Sequence, residues 1–371
     1  MKLYSIQFLR AVAALLVVYA HGIDVQLKYA FSRQQDYFYL QNFGAIGVDI
    51  FFCISGFIIT YIGDQFSGAR QARDFLIKRF IRINPIYYFA SLLYLWLIIW
   101  FIWTRHLPYE TGYFISTLID TFFILPTASD ATKYIPLLTV AWTLSFEWFF
   151  YLVFALLIIA RSKVKPAMLV LLMVLLVLAG RLIRPEDYRL VFITNPLILE
   201  FLLGVVIYWV YMRIKVPVAV AWLLTLMGIG AYVYEIYFGF GDISEVGNII
   251  TAKLSIERFI WWGIPSALLV SGCIFLEKNG VLLRLWSNRL SKLTGDASYS
   301  IYLTHLSVFF LFHTLYEKTG FFLDADLSVL FHLLVAAATG ILFYYYIERP
   351  LLHFLQKKYA VRNRTVPVIS S

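Results

Sequence analysis

The chain has 371 residues, of which 61% are hydrophobic, 19% aromatic and only 14% charged, against about a quarter charged in a soluble domain. A water-soluble core cannot absorb that much apolar surface. The apolar runs also extend from end to end without a linker, so the sequence reads as one membrane domain rather than two soluble ones. The net charge of +9 does not mark a nucleic-acid binder, because the Lys and Arg sit in short clusters between apolar segments, as membrane topology requires.

Lys2, an Ala-rich stretch and Val18-Tyr19-Ala20 imitate a signal peptide. Arg10 interrupts the would-be apolar core, so the segment is expected to remain as a first helix. A bilayer takes about 20 apolar residues per helix. Ten spans follow, near 4–23, 44–63, 83–104, 141–160, 167–182, 190–211, 217–237, 258–276, 297–316 and 328–347. The short apolar piece 112–126 carries Asp120 and is assigned to an outer loop as an interfacial or re-entrant segment.

Charge counting sets the orientation. With ten spans and the N-terminus inside, the inner loops hold 20 of the 31 Lys and Arg but only five of the 22 acidic residues. Both termini are therefore expected to be cytoplasmic. An eleventh crossing at 112–126 would invert everything downstream and put the basic clusters outside. Residues 1–350 form the expected transmembrane domain and 351–371 a basic cytoplasmic tail. Cys53 and Cys273 lie inside apolar segments and have neither disulfide nor metal-ligand spacing.

Arg10 and His21 are eleven positions apart on the first helix, within about 20° of three full turns and about 16 Å along the axis. They share a face, and a charge this deep in a span is a functional-site candidate. The bland alternative is an arginine snorkelling to the headgroups. An extended pantetheine arm has a comparable reach, so Arg10 can hold a phosphate end while His21, near the outer end of the helix, takes a proton from an attacking hydroxyl as general base. Asp24 and Asp49 are both candidates to orient the His21 ring.

Arg79 and Arg82 stand one turn apart just ahead of the third span, on the cytoplasmic side. Their planar forks suit phosphate oxygens, although any inner loop attracts basic residues for topology alone. Glu147 and Glu200 are carboxylates within spans, suited either to catalysis or to pairing with an intramembrane arginine such as Arg10. Tyr302 and His305 share one face of the ninth span, where His305 either lines a donor tunnel or rests as an interhelical histidine. Among the other histidines, His106, His313, His332 and His353 have no supporting pattern. No Gly-rich phosphate loop, zinc spacing or nucleophile elbow occurs, so neither a metal nor a covalent serine intermediate is expected.

Arg10 to His21 resembles the Arg-x10-His signature of the acyltransferase-3 family, and Arg79 to Arg82 resembles its Arg-x-x-Arg motif. The stretches Gly47 to Phe57, Trp142 to Tyr151, Tyr299 to His305 and Glu348-Arg349-Pro350-Leu351 resemble further blocks of that family, over nearly the whole chain. The resemblance implies a bundle of about ten transmembrane helices in a bacterial inner membrane. It also implies acyl-CoA, expected to be acetyl-CoA, bound from the cytoplasm, with His21 as base and Arg10, Arg79 and Arg82 in donor binding. Within the family the chain is similar to exopolysaccharide and nodulation-factor acetyltransferases. The expected acceptor is accordingly a hydroxyl of a polysaccharide repeat unit, a lipid-linked oligosaccharide or a lipo-oligosaccharide. One departure is Trp148, where the family usually carries a second acidic or amide residue. With a short basic tail and no esterase-like domain, the chain is expected to complete the transfer by itself. The competing readings are a carbohydrate or lipid transporter and a non-catalytic component of polysaccharide assembly. A transporter would favour internal repeats and broken helices around a midplane site, and no such repeat is evident in the sequence.

Overall fold

The structure, a computed structural model, describes residues 3–29, 41–106, 111–124, 137–320 and 325–364. Every regular element among them is helical. With no water to satisfy backbone N–H and C=O groups, a chain this apolar must close its hydrogen bonds within each span, and helices do so. The principal helices are α1 (Tyr4–Tyr29), α2 (Gly47–Gly63), α3 (Ala69–Arg105), α4 (Thr111–Phe123), α5 (Trp142–Ile159) and α6 (Lys165–Ile183). They continue with α7 (Ile198–Arg213), α8 (Val218–Phe238), α9 (Ile264–Lys278), α10 (Ser298–Thr319), α11 (Ala325–Phe343) and α12 (Arg349–Arg364).

Nine stretches among the described residues are long and apolar enough to cross a bilayer. The expected ninth span, 297–316, is not among these nine but is present as the 22-residue α10. It fails on composition alone, because Ser298, Ser300, Thr304, His305 and Ser307 dilute its hydropathy, and all five are buried. The helix is polar because it faces protein. The 13-residue α4 reaches only about 20 Å at 1.5 Å per residue, too little for a bilayer. Residues 125 and 126 of the expected interfacial piece lie outside the described residues.

One boundary differs from expectation. Helix α3 has 37 residues and begins at Ala69, so Arg79 and Arg82 stand on the helix itself rather than in a loop ahead of it. The basic segment expected as a tail from 351 is helical through Arg364 and tied back, with Tyr359 donating to Asp74 Oδ1 at 2.7 Å. Residues 365–371 lie outside the described residues. Helix α11 enters α12 through a widened π turn, Tyr344–Glu348, and a second π turn, Phe259–Gly263, precedes α9. Pro350 and Pro265 follow these turns. Proline has no N–H and crowds the preceding turn, so each helix continues past it by loosening the turn upstream.

Helices α1 and α2 occupy the interior and α6 the periphery. The most apolar stretch is 61% buried in α1 and 67% in Phe43–Gly63, but 17% in α6. Helix α1 packs on α2, α10, α11 and the short helix Arg289–Asp296. These approaches are backbone-close: a Cβ added at Gly47 would fall 2.2 Å from the Ala13 carbonyl oxygen, and one at Gly295 2.2 Å from that of Gln7. Small residues at helix contacts are the usual device where lipid supplies no hydrophobic drive.

Candidate active site

A cavity lies among α1, α2, α3, α5 and α10, and its polar wall includes Arg10, Arg79, Arg82, Glu147, Tyr299 and Tyr302. The sequence places these residues on four helices, and the fold brings them to one space. Phe51, Ile54 and Ile58 of α2 supply apolar wall.

The cations are held differently from one another. Arg82 Nη1 donates to Glu348 Oε1 at 2.7 Å, and its guanidinium lies 6.0 Å from the Tyr299 ring centroid. Arg79 instead lies against two adjoining aromatic rings, 5.7 Å from Phe75 and 6.0 Å from Tyr151, and its buried Nε has no hydrogen-bond partner among the described residues. Glu147 accepts from Ser55 Oγ at 3.1 Å and from the Tyr151 hydroxyl. One carboxylate, Glu147, shares the cavity wall with the three guanidinium groups. Tyr302 is pinned: its hydroxyl donates to the Val140 carbonyl at 2.9 Å and pairs with Thr143 Oγ1 at 2.9 Å.

One turn beyond Tyr302 stands His305, fully buried, with ring centroids 6.1 Å apart. His305 in turn stacks on His21 at 5.1 Å. A column therefore runs from the arginines through the cavity and past Tyr302 and His305 to His21. His305 is not in the cavity wall itself. Neither of its ring nitrogens has a hydrogen-bond partner among the described residues, which is uncommon for buried polar atoms. His21 is half exposed, and its Nδ1 lies 3.2 Å from Asp24 Oδ2.

Of the two carboxylates considered for His21, the structure brings Asp24 to the ring. Asp49 is engaged elsewhere, in a bidentate pair with Arg258 at 2.9 and 2.7 Å. Arg258 also donates to the carbonyls of Ile243 and Ala45 and lies 4.7 Å from the Trp262 ring centroid. This satisfied, buried cluster braces the start of α2. Glu200 does not meet Arg10. It is buried against Gly263, where an added Cβ would fall 2.9 Å from its Cγ.

Sequence reasoning passed over two residues that the fold makes central. Arg258 begins an expected span, and the argument that singled out Arg10 applied to it equally. Glu348 reads from the sequence as an inner-loop charge within a family-like block, and no local spacing points to its partner. His332, which had no supporting pattern, is buried in a polar pair with the Tyr316 hydroxyl at 2.6 Å, a satisfied interhelical histidine.

The arrangement places three guanidinium groups in one cavity and, past Tyr302 and His305, an imidazole beside a carboxylate. It suits a long anionic donor whose reactive group meets a base some 16 Å from Arg10, the rise of eleven helical residues being about that length. A family model described as an acyltransferase domain matches residues 3–349. The exopolysaccharide production protein ExoZ of Rhizobium meliloti is 32% identical over 317 residues, covering 83% of this chain and 90% of that protein. No solved structure matches the chain.

Proposed function

The chain belongs to the acyltransferase domain family and is a multi-pass membrane O-acyltransferase; from that premise we propose that it moves an acetyl group from acetyl-CoA to a hydroxyl of a cell-surface or secreted carbohydrate, with His21 as general base. One observation carries this reading: Arg10, Arg79 and Arg82 converge on one cavity, and its lining residue Tyr302 is joined through the His305 ring to the His21–Asp24 pair.

The donor enters from the cytoplasmic side of a bacterial inner membrane, an orientation supported by the excess of Lys and Arg in the inner loops. Arg79 and Arg82 hold the nucleotide phosphates, since planar guanidinium forks match phosphate oxygens. Arg10 completes the cationic lining, with Glu147 in the same cavity wall. The pantetheine arm extends along α1 and presents the thioester beyond Tyr302.

Asp24 accepts from Nδ1–H of His21, which leaves Nε2 unprotonated to act as base. The acceptor hydroxyl attacks the thioester carbonyl as Nε2 takes its proton. The C–O bond forms and the C–S bond breaks, and the imidazolium returns the proton to the leaving sulfur to give free CoA thiol. A positioned base of this kind contributes on the order of 10² to 10⁴ in rate. The likeness to an exopolysaccharide production protein supports an exopolysaccharide or its lipid-linked precursor as the acceptor.

The test is thiol release by purified protein with acetyl-CoA and candidate glycans. His21→Ala is expected to abolish it while the protein stays folded, and undiminished release would sink the base assignment. Mass spectrometry of surface glycans with and without the protein identifies the transferred group and the acceptor together.

A further inference from the structure

The proposed donor site contains an arginine that is not free to choose its own position. Arg82 reaches Glu348 Oε1 at 2.7 Å, and the other oxygen of that carboxylate accepts from Ser300 Oγ at 2.6 Å. Glu348 is fully buried, whereas Arg82 is 31% exposed and lines the cavity. The carboxylate therefore lies behind the arginine as seen from the cavity. Three separate elements meet at this point: α3 through Arg82, α10 through Ser300, and the π turn Tyr344–Glu348 through Glu348. Widened turns of this kind recur at functional sites. Here the turn ahead of Pro350 carries the carboxylate that Arg82 meets. Tyr299, beside Ser300, places its ring under the same guanidinium and donates its hydroxyl to the Ile83 carbonyl at 3.0 Å.

We propose that Glu348, fixed by Ser300, is a positioning residue for the donor: it holds one edge of the Arg82 guanidinium so that the remaining N–H groups of the fork face the donor phosphates. This rests on the reading that Arg79 and Arg82 bind acyl-CoA. The physical case is an asymmetry between the two arginines. Arg79 lies against the adjoining Phe75 and Tyr151 rings and has a buried Nε without a hydrogen-bond partner among the described residues, so no buried carboxylate fixes its direction as Glu348 does that of Arg82. Arg82 has a buried carboxylate that cannot itself reach a ligand through the arginine. A flexible guanidinium loses conformational freedom when it binds, and a partner that fixes it beforehand removes that loss from the binding step.

The experiment compares two donors, acetyl-CoA and the truncated acetyl-pantetheine, which lacks the nucleotide and its phosphates. Glu348→Gln keeps the shape and removes the charge. It is expected to lower kcat/KM for acetyl-CoA by about tenfold or more, mainly through KM, as loss of binding common to ground and transition states does. The same variant should leave acetyl-pantetheine within about twofold of wild type, because the truncated donor makes no phosphate contact. Arg82→Gln should mask the effect, so that the double variant is no weaker than Arg82→Gln alone, the non-additivity of two residues acting through one contact. Ser300→Ala should shift acetyl-CoA in the same direction by a smaller factor, and it carries the test if Glu348→Gln does not fold.

Equal loss with both donors would make Glu348 a structural residue and overturn the proposal, as would unchanged kinetics with acetyl-CoA. If Arg79→Gln and Arg82→Gln themselves leave acetyl-CoA affinity unchanged, the donor-site reading fails and the role of Glu348 falls with it. If they weaken it and Glu348→Gln does not, only the positioning role is lost.

Discussion

His305 lies against His21 with ring centroids 5.1 Å apart and planes 28° from parallel. His305 is fully buried on α10 and His21 half exposed on α1, so an inner ring backs an outer one. Stacking fixes the plane of the His21 ring, while Asp24 fixes its rotation about that plane. His305→Ala should leave a gap behind His21 and lower kcat by roughly tenfold to a hundredfold, the scale of loss when a catalytic group is misplaced by about 1 Å. KM for acetyl-CoA should change little, because His305 is not in the cavity wall. His305→Phe keeps a ring in place and should recover most of the rate. A phenylalanine variant as impaired as the alanine one would show that the imidazole nitrogens themselves are required.

Asp24→Asn should act on the same step from the other side. The amide is a poorer acceptor for Nδ1–H and no longer favours the tautomer that exposes Nε2. Removal of such a carboxylate from a buried triad costs about 10⁴, but this pair is 32% and 55% exposed, and solvent weakens exposed charge pairs. A fall in kcat of about tenfold to a hundredfold is expected, with donor KM unchanged. Steady-state kinetics at saturating acceptor checks it, and wild-type kcat would remove Asp24 from the mechanism.

How much of this was legible before the fold was known depends on the range of the interaction. Arg10 and His21 lie on one continuous helix, so their spacing on the sequence already gave their alignment. The polar α10 was also legible as a span, since its Ser, Thr and His residues punctuate an otherwise apolar run. The partner of Asp49 lies 209 residues away and that of Arg82 266 residues away. No periodicity within one helix records which helix will pack beside it. The start of α3 was missed for a related reason: the charged residues between 69 and 82 read as a loop, yet the helix extends through them beyond the apolar stretch.

The Asp49–Arg258 pair should prove a stability element. Both side chains are almost completely buried, 0% and 1% exposed. Breaking such a pair by removing one partner typically costs about 3–5 kcal/mol, because the other charge is left stranded. Arg258→Met should therefore lower the thermal midpoint of the purified protein steeply. Asp49→Leu combined with Arg258→Met, which strands neither partner of the pair, should restore much of the loss. If the double variant is less stable than either single one, the network around Ile243, Ala45 and Trp262 depends on the guanidinium and not on the pairing.

The interlock of α2 with α7 gives a prediction that links packing to donor binding. A Cβ at Gly56 would fall 1.9 Å from the Phe201 carbonyl oxygen, and one at Gly204 2.1 Å from that of Cys53. Neither obstacle is a flexible side chain. Gly56→Ala or Gly204→Ala must push the two helices apart, and overpacking of this kind costs about 1–3 kcal/mol or more. The consequence extends beyond stability, because α2 also presents Phe51, Ile54, Ser55 and Ile58 to the cavity. Displacing α2 moves Ser55 away from Glu147, which shares the cavity wall with Arg10. Both variants should thus raise KM for acetyl-CoA as well as lower the thermal midpoint. Gly230 on α8 is the control, with nothing within 4 Å of an added Cβ. There the gain in helix propensity, about 0.5–1 kcal/mol for alanine over glycine, should leave the protein as stable as before or slightly more so, with unchanged kinetics. A Gly56→Ala protein with wild-type stability and donor affinity would mean that α2 and α7 slide past each other without disturbing the cavity.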